Sequence, residues 1–140
     1  MIVLDTNVVS ELMRPQPDQT VLQWMANQPS ADLFTTTITQ AEILFGLAIL
    51  PDGRRKAGLL AAAEAMFDLD FAGRILPFDT ASAREFAALA AERQRKGRPA
   101  GAFDVQVAAI ARSRRAVVAT RNVADFEDFG PPVVNPWEQT

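Results

Sequence analysis

Apolar residues recur along the chain in two alternating patterns. Short β-branched runs read as strands buried on both faces, and longer stretches repeat apolar positions at helical spacing. Ile2-Val3-Leu4 is the first such run and ends at Asp5. Thr6 to Met13 follows as a helix that Pro15 and Pro17 stop. Asp18 is placed to cap a helix carrying Val21, Trp24 and Met25 on one face. Leu33 to Thr37 reads as a second strand, and Thr39 to about Leu50 as a helix with Ile43, Leu44, Leu47 and Ala48 in register. After the Pro51-Asp52-Gly53 turn, an Ala- and Leu-rich helix runs from Arg54 to about Asp70. Arg74 to Phe78 is a strand, Thr80 to Lys96 a helix, Gly97 to Gly101 a loop, and Ala102 to Arg112 a helix. Ala116 to Thr120 is a fourth strand, Val123 to Asp128 a short helix, and Val133-Val134 a last strand. Strands separated by helices predict an α/β fold, a mainly parallel central sheet flanked by helices on both faces. Residues 1–140 are expected to form one domain. In such sheets ligands bind beyond the carboxyl ends of the strands. Asp5-Thr6-Asn7 and Thr120-Arg121-Asn122 both stand there.

Composition narrows the chemistry sharply. The sequence contains no Cys, His or Tyr, which removes thiolate or imidazole metal sites, disulfides and Ser-His-Asp catalysis. Carboxylates are left as the leading reactive groups. A net charge of −3 does not advertise nucleic-acid binding, although local basic clusters can still hold phosphates. No basic leader precedes the first apolar run and no stretch reaches the length of a membrane span, so a cytoplasmic protein is expected.

Several polar residues stand out against this background. Asp5 ends a buried strand, where it can cap the next helix or ligate a cation. Glu42 closes Thr39-Gln40-Ala41-Glu42, which has the form of a capping box. Asp104 lies on a stripe with Val107, Ala108 and Ala111, and a carboxylate on an apolar face needs either free backbone N–H groups or a partner. Asn122 and Asp125 have the spacing of a helix cap. Phe126 is expected in the core. Three carboxylates from distant segments would meet at one sheet edge if the sheet is doubly wound. Their mutual repulsion is tolerable when a divalent cation neutralises them. All-oxygen ligation suits Mg²⁺ or Mn²⁺, and the matching chemistry is metal-assisted phosphodiester hydrolysis.

Taken in order, Ile2 to Asn7, Ala41-Glu42, Phe103-Asp104 heading an Ala-rich helix, Thr120-Arg121-Asn122 and Asp125-Phe126 resemble the PIN-domain family. Within it they are similar to the VapC-type toxin ribonucleases of type II toxin–antitoxin modules. Asn135-Pro136-Trp137 resembles the tail of one bacterial subgroup. The resemblance implies an α/β/α sandwich and an Mg²⁺- or Mn²⁺-dependent endoribonuclease. It also implies a cognate antitoxin, a toxin homodimer, and a hetero-oligomer with the antitoxin on operator DNA. Asp5, Glu42 and Asp104 match the family's core acidic ligands. Many relatives carry a fourth acid where this chain has Asn122, so Asn122 or Asp125 would act through water. Thr6, Asn7 and Thr120 would orient the carboxylates.

RNA must be held against a net negative protein. Arg93, Arg95, Lys96 and Arg98, just before the loop to Asp104, are the first choice. Apolar helix faces carrying Trp24 and Phe45 are expected mostly in the core, with some available to an antitoxin. Two other readings remain open: a PIN-fold member acting mainly through partner binding, and a phosphatase with an Asp nucleophile at Asp5.

Overall fold

The computed structural model describes residues 1–138. Five strands, β1 (Ile2–Leu4), β2 (Leu33–Thr36), β3 (Ile75–Leu76), β4 (Val117–Ala119) and β5 (Val133–Val134), form one sheet in the order β3-β2-β1-β4-β5. Every neighbouring pair is parallel, with Val3 opposite both Phe34 and Val118. β1 is therefore central. The chain winds outward from it to β2 and β3 on one side and to β4 and β5 on the other. The switch in winding direction lies between β1 and β4.

The strands are short because both faces and both ends are in demand. Val3 and Val118 point into one apolar cluster, with Leu89, Val107, Ile110, Phe126 and Phe129. Leu4 and Ala119, one residue on, point into the other, with Val8, Val9, Trp24, Ile43 and Phe67. This alternation is what makes the buried strands continuously apolar. β3 is shorter than the Arg74–Phe78 run suggests. Pro77 has no N–H to donate to the ladder.

Seven α-helices cover the sheet among the described residues: α1 (Thr6–Leu12), α2 (Gln19–Ala26), α3 (Thr37–Ala48), α4 (Arg54–Ala65), α5 (Thr80–Arg95), α6 (Ala102–Ser113) and α7 (Val123–Phe126). The predicted helix from Arg54 to Asp70 is α-helical only to Ala65 and widens into a π turn at Met66–Asp70. That turn places Phe67 in the core and leaves Leu69 74% exposed. α5 and α6 pack along one another. The Ala-rich face of α6 permits this close approach: Val107, Ala108, Ala109, Ile110 and Ala111 are all fully buried. α5 ends on Gly97 at φ 68°, with Gly97 N–H bonded to Gln94 O and Arg98 N–H to Arg93 O. This pair of bonds is a Schellman closure, which favours glycine at the left-handed position. It turns the chain into the loop that delivers α6.

Trp24 is in the core, at 7% exposure, whereas Phe45 on α3 is 66% exposed, contrary to its expected burial. Its neighbour one turn on, Ile49, is 67% exposed. No helix among the described residues is long and apolar enough to cross a membrane.

Candidate active site

A cavity of about 520 Å³ opens at the carboxyl edge of the sheet, beside the switch between β1 and β4. Asp5, Thr6, Asn7, Glu42, Asp104 and Asn122 all line it. Residues separated by up to 117 positions in sequence are brought there by the ends of β1 and β4 and by the first turns of α3 and α6.

Asp5 is buried, at 4% exposure. It occupies the cap position of α1, yet its side chain makes no capping hydrogen bond. Instead Oδ2 accepts from the Thr120 hydroxyl at 2.9 Å and from Asn7 Nδ2 at 3.4 Å. Asn7 Nδ2 also reaches Thr120 Oγ1 at 3.2 Å, and its Oδ1 accepts from the Arg121 N–H at 3.2 Å. The residue two places after Asp5 is therefore a positioning amide rather than a second acid, so nothing in this geometry favours the phosphatase reading. Burial raises the Asp5 carboxyl above its ordinary value. The Thr6 N–H and Thr120 hydroxyl pull back, and the charges of Glu42 and Asp125 push further up.

Glu42 does not close a capping box. α3 begins two residues earlier than Thr39, with Thr36 as its cap and Thr36 Oγ1 accepting from the Thr39 N–H at 3.1 Å. Glu42 thus falls beyond the cap and its carboxylate is free for other work. Oε1 accepts from the Thr6 hydroxyl at 2.9 Å, and Thr6 Oγ1 lies 3.1 Å from Thr39 Oγ1. This hydroxyl pair ties α1 to α3 directly beneath the pocket.

Asp104 is in the first turn of α6, whose cap, Gly101, has no side chain to offer. Its carboxylate accepts no hydrogen bond from any described residue, so free helix N–H groups do not satisfy it. Its carboxyl is pushed up to about 6 by desolvation, then by the charges of Asp5 and Asp125. Asn122 and Asp125 do not form the predicted side-chain cap of α7. Asn122 lines the pocket, and its N–H donates to Thr120 Oγ1 at 3.1 Å. Asp125 is exposed outside the lining but acts on both Asp5 and Asp104 through its charge.

These carboxylates make no ion pair among the described residues. Nor do any three acidic side chains there close on a common point tightly enough to hold an ion as they stand. The pocket is an open, mutually repelling cluster in which Asp5 and Glu42 are already oriented by hydroxyls.

A stability prediction follows. In the unfolded chain Asp104 titrates near 3.8, and in the folded protein near 6. Folding therefore favours its protonated form. That contribution is complete below about 3.8 and is lost as pH rises through about 6. Asp104→Asn keeps it at every pH. Without divalent cations at pH 7.5, the variant should melt about 3 °C higher than wild type. This corresponds to about 1 kcal/mol once solvent screening of a half-buried group is allowed for. The gain should vanish by about pH 4, which calorimetric melting across pH will check.

The predicted phosphate-holding residues lie elsewhere. Arg93, Arg95, Lys96 and Arg98 do not line the pocket. Arg93 and Arg98 pair with Asp128 at 3.3 and 3.5 Å, Arg93 also lies over the Phe129 ring, and Lys96 pairs with Glu92 at 3.0 Å. They sit at the C-terminal end of α5, where the helix dipole and neighbouring acids account for them. The cations that do line the pocket are Arg14 and Arg121, together with the ring of Trp137. The only signal for Arg121 in the sequence is its place directly after a central strand. Arg14 has none.

The whole arrangement matches known proteins. Residues 2–130 match the PIN domain family. The chain is 42% identical over 138 residues to VapC ribonuclease Y4jK of Sinorhizobium fredii, covering 99% of each. It is 39% identical over 137 residues to toxin FitB of Neisseria gonorrhoeae, covering 98% of this chain and 99% of that one. The structure of FitAB bound to an IR36 DNA fragment superimposes with a TM-score of 0.91 at 38% identity, over 100% of this chain and 98% of that one. With an all-parallel sheet, a carboxylate pocket at its switch point and full-length likeness on both counts, the chain belongs to the PIN-domain family, in its VapC-type branch.

Proposed function

We propose that this chain is the toxin of a toxin–antitoxin pair and an endoribonuclease that depends on Mg²⁺ or Mn²⁺. One observation carries the reading. Asp5, Glu42 and Asp104, from three distant segments, line a single pocket and form no ion pair with a cation among the described residues. Carboxylates clustered in this way, with Asp5 and Asp104 both raised above their ordinary values, call for a positive partner.

The donors fit a hard divalent ion, because every one of them is oxygen. Mg²⁺ keeps several waters and needs only one or two protein carboxylates besides substrate phosphate, so an open cluster suits it. Asp5 and Asp104 are the residues proposed to hold it, with Glu42 alongside and Asn122 or Asp125 acting through water. Bound there, the ion would supply Lewis-acid activation of water and neutralise charge at the scissile phosphate. The chain's own groups prepare the site. Thr120 and Asn7 hold Asp5 in one rotamer, Thr6 holds Glu42, and the α6 N-terminus sets a partial positive charge behind Asp104.

The relatives' names support the activity and its biological setting. The Sinorhizobium relative is a ribonuclease, the Neisseria relative a toxin, and the FitAB neighbour is bound to DNA. For this chain we propose a cognate antitoxin encoded alongside, a homodimeric toxin, and a joint complex on operator DNA in the cytoplasm. The exposed Phe45 and Ile49 on α3 offer apolar surface for such contacts.

The deciding experiment is cleavage of a mixed RNA pool with Mg²⁺, with EDTA, and with Asp104→Asn. Cleavage confined to wild type with metal is expected. Equal cleavage in EDTA overturns the metal dependence, and no cleavage by wild type in Mg²⁺ or Mn²⁺ overturns the enzyme reading in favour of a partner-binding protein. Because a ligand carboxylate must be deprotonated and Asp104 titrates near 6, Mn²⁺ affinity should fall about tenfold between pH 8 and pH 5. Titration calorimetry measures this.

A further inference from the structure

An acidic pocket repels the RNA it is proposed to cut, so some cation must bring the strand to it. Arg14 is poorly placed to do so. It pairs at 3.2 Å with Glu11, which is 6% exposed and also accepts the Asp18 N–H at 2.8 Å. Arg121 differs. It lines the pocket, is exposed, and forms no ion pair among the described residues. Its backbone N–H is anchored on Asn7 Oδ1, and its guanidinium lies 5.0 Å from the centroid of the Trp137 ring.

Trp137 is itself held in place. The tail reaches the pocket because Val134 pairs with Ala119 and its carbonyl accepts the Thr120 N–H at 3.0 Å. Asn135 Oδ1 then accepts the Trp137 N–H at 2.9 Å. The indole packs against the apolar cluster that includes Leu4 and Ala119. Its position is thus fixed by the same two strands that carry Asp5 and Thr120.

We propose that Arg121, braced over the ring of Trp137, is the RNA-positioning platform of this active site. It would take single-stranded RNA at the nucleotide next to the scissile bond. A guanidinium plane both stacks on a base and bonds a phosphate, and an aromatic ring behind it removes its rotamer freedom. Trp137 acts through Arg121, and neither residue touches the proposed ligand carboxylates. This inference rests on the ribonuclease reading and adds to it a substrate-holding element at the pocket rim.

The test compares Arg121→Ala, Arg121→Lys, Trp137→Ala and Trp137→Phe in Mg²⁺-dependent cleavage of a short single-stranded RNA that wild type cuts. Arg84→Ala, an exposed cation on α5 outside the pocket, is the charge-matched control. Arg121→Ala should raise KM about tenfold with kcat within about twofold. Arg121→Lys should recover only part of that, since charge returns without the plane. Trp137→Ala should raise KM and Trp137→Phe should restore it. RNA bound in EDTA should quench indole fluorescence in wild type and not in Trp137→Phe. Melting temperatures separate these effects from misfolding. Wild-type KM in Arg121→Ala and Trp137→Ala, or an equal loss in Arg84→Ala, overturns the platform while leaving the ribonuclease intact. A wild type that cuts no RNA overturns both.

Discussion

Asp5→Asn should lower RNA cleavage by at least ~10³-fold in kcat/KM while leaving the melting temperature at or above that of wild type. The two halves of this result have different causes. Losing one of the carboxylates proposed to hold the ion removes several kcal/mol of transition-state stabilisation, and each 1.4 kcal/mol is a factor of ten. The fold, by contrast, loses little. Asn has the shape of Asp and retains one oxygen to accept from the Thr120 hydroxyl, now 2.9 Å from Oδ2. It also removes a desolvated charge that Glu42 and Asp125 oppose. Cleavage assays run beside thermal melts on the same preparation will separate the two. Undiminished cleavage by a well-folded Asp5→Asn would falsify the catalytic role of the pocket.

The second large effect is on stability. Phe126→Ala should cost about 3–5 kcal/mol, read as a drop of about 10 °C in melting temperature. Phe126 is 1% exposed and meets Phe129 edge to face, with centroids 5.7 Å apart. Both rings fill the cluster shared by α6 and β4. The same two rings hold α7, which directly follows the pocket residue Asn122 and carries Asp125, so the variant also loosens the segment next to the pocket. Leu69→Ala, at a position 74% exposed, should change stability by less than about 0.5 kcal/mol. A loss below 1 kcal/mol for Phe126→Ala, measured by denaturant unfolding, would contradict the packing described for α7.

The order of strands and helices was legible from residue pattern alone, because burial on two faces forces continuous β-branched runs and burial on one face forces helical spacing. Asp5 and Asp104 stood out for the same reason: each interrupts a pattern that apolar packing would otherwise complete. Glu42 was ambiguous. Thr39-Gln40-Ala41-Glu42 has the form of a cap, and only the position of Thr36 at the helix start released its carboxylate. The basic cluster at the end of α5 lies outside the pocket, and charge density along the chain says nothing about which acids fold beside it. Asp128 neutralises Arg93 and Arg98 from 35 and 30 positions away.

The sequence by itself determined the α/β class, the approximate elements and which acids interrupt the apolar pattern, since these depend on local periodicity and on residue chemistry. Tertiary structure alone decided that β1 lies beside β4, that the Thr120 hydroxyl and the Asn7 amide reach Asp5, and that Arg121 and Trp137 line the same pocket as the carboxylates. Those facts are contacts between segments more than a hundred residues apart or between a strand end and a distant tail. Their energies depend on distance in space, which no local pattern encodes.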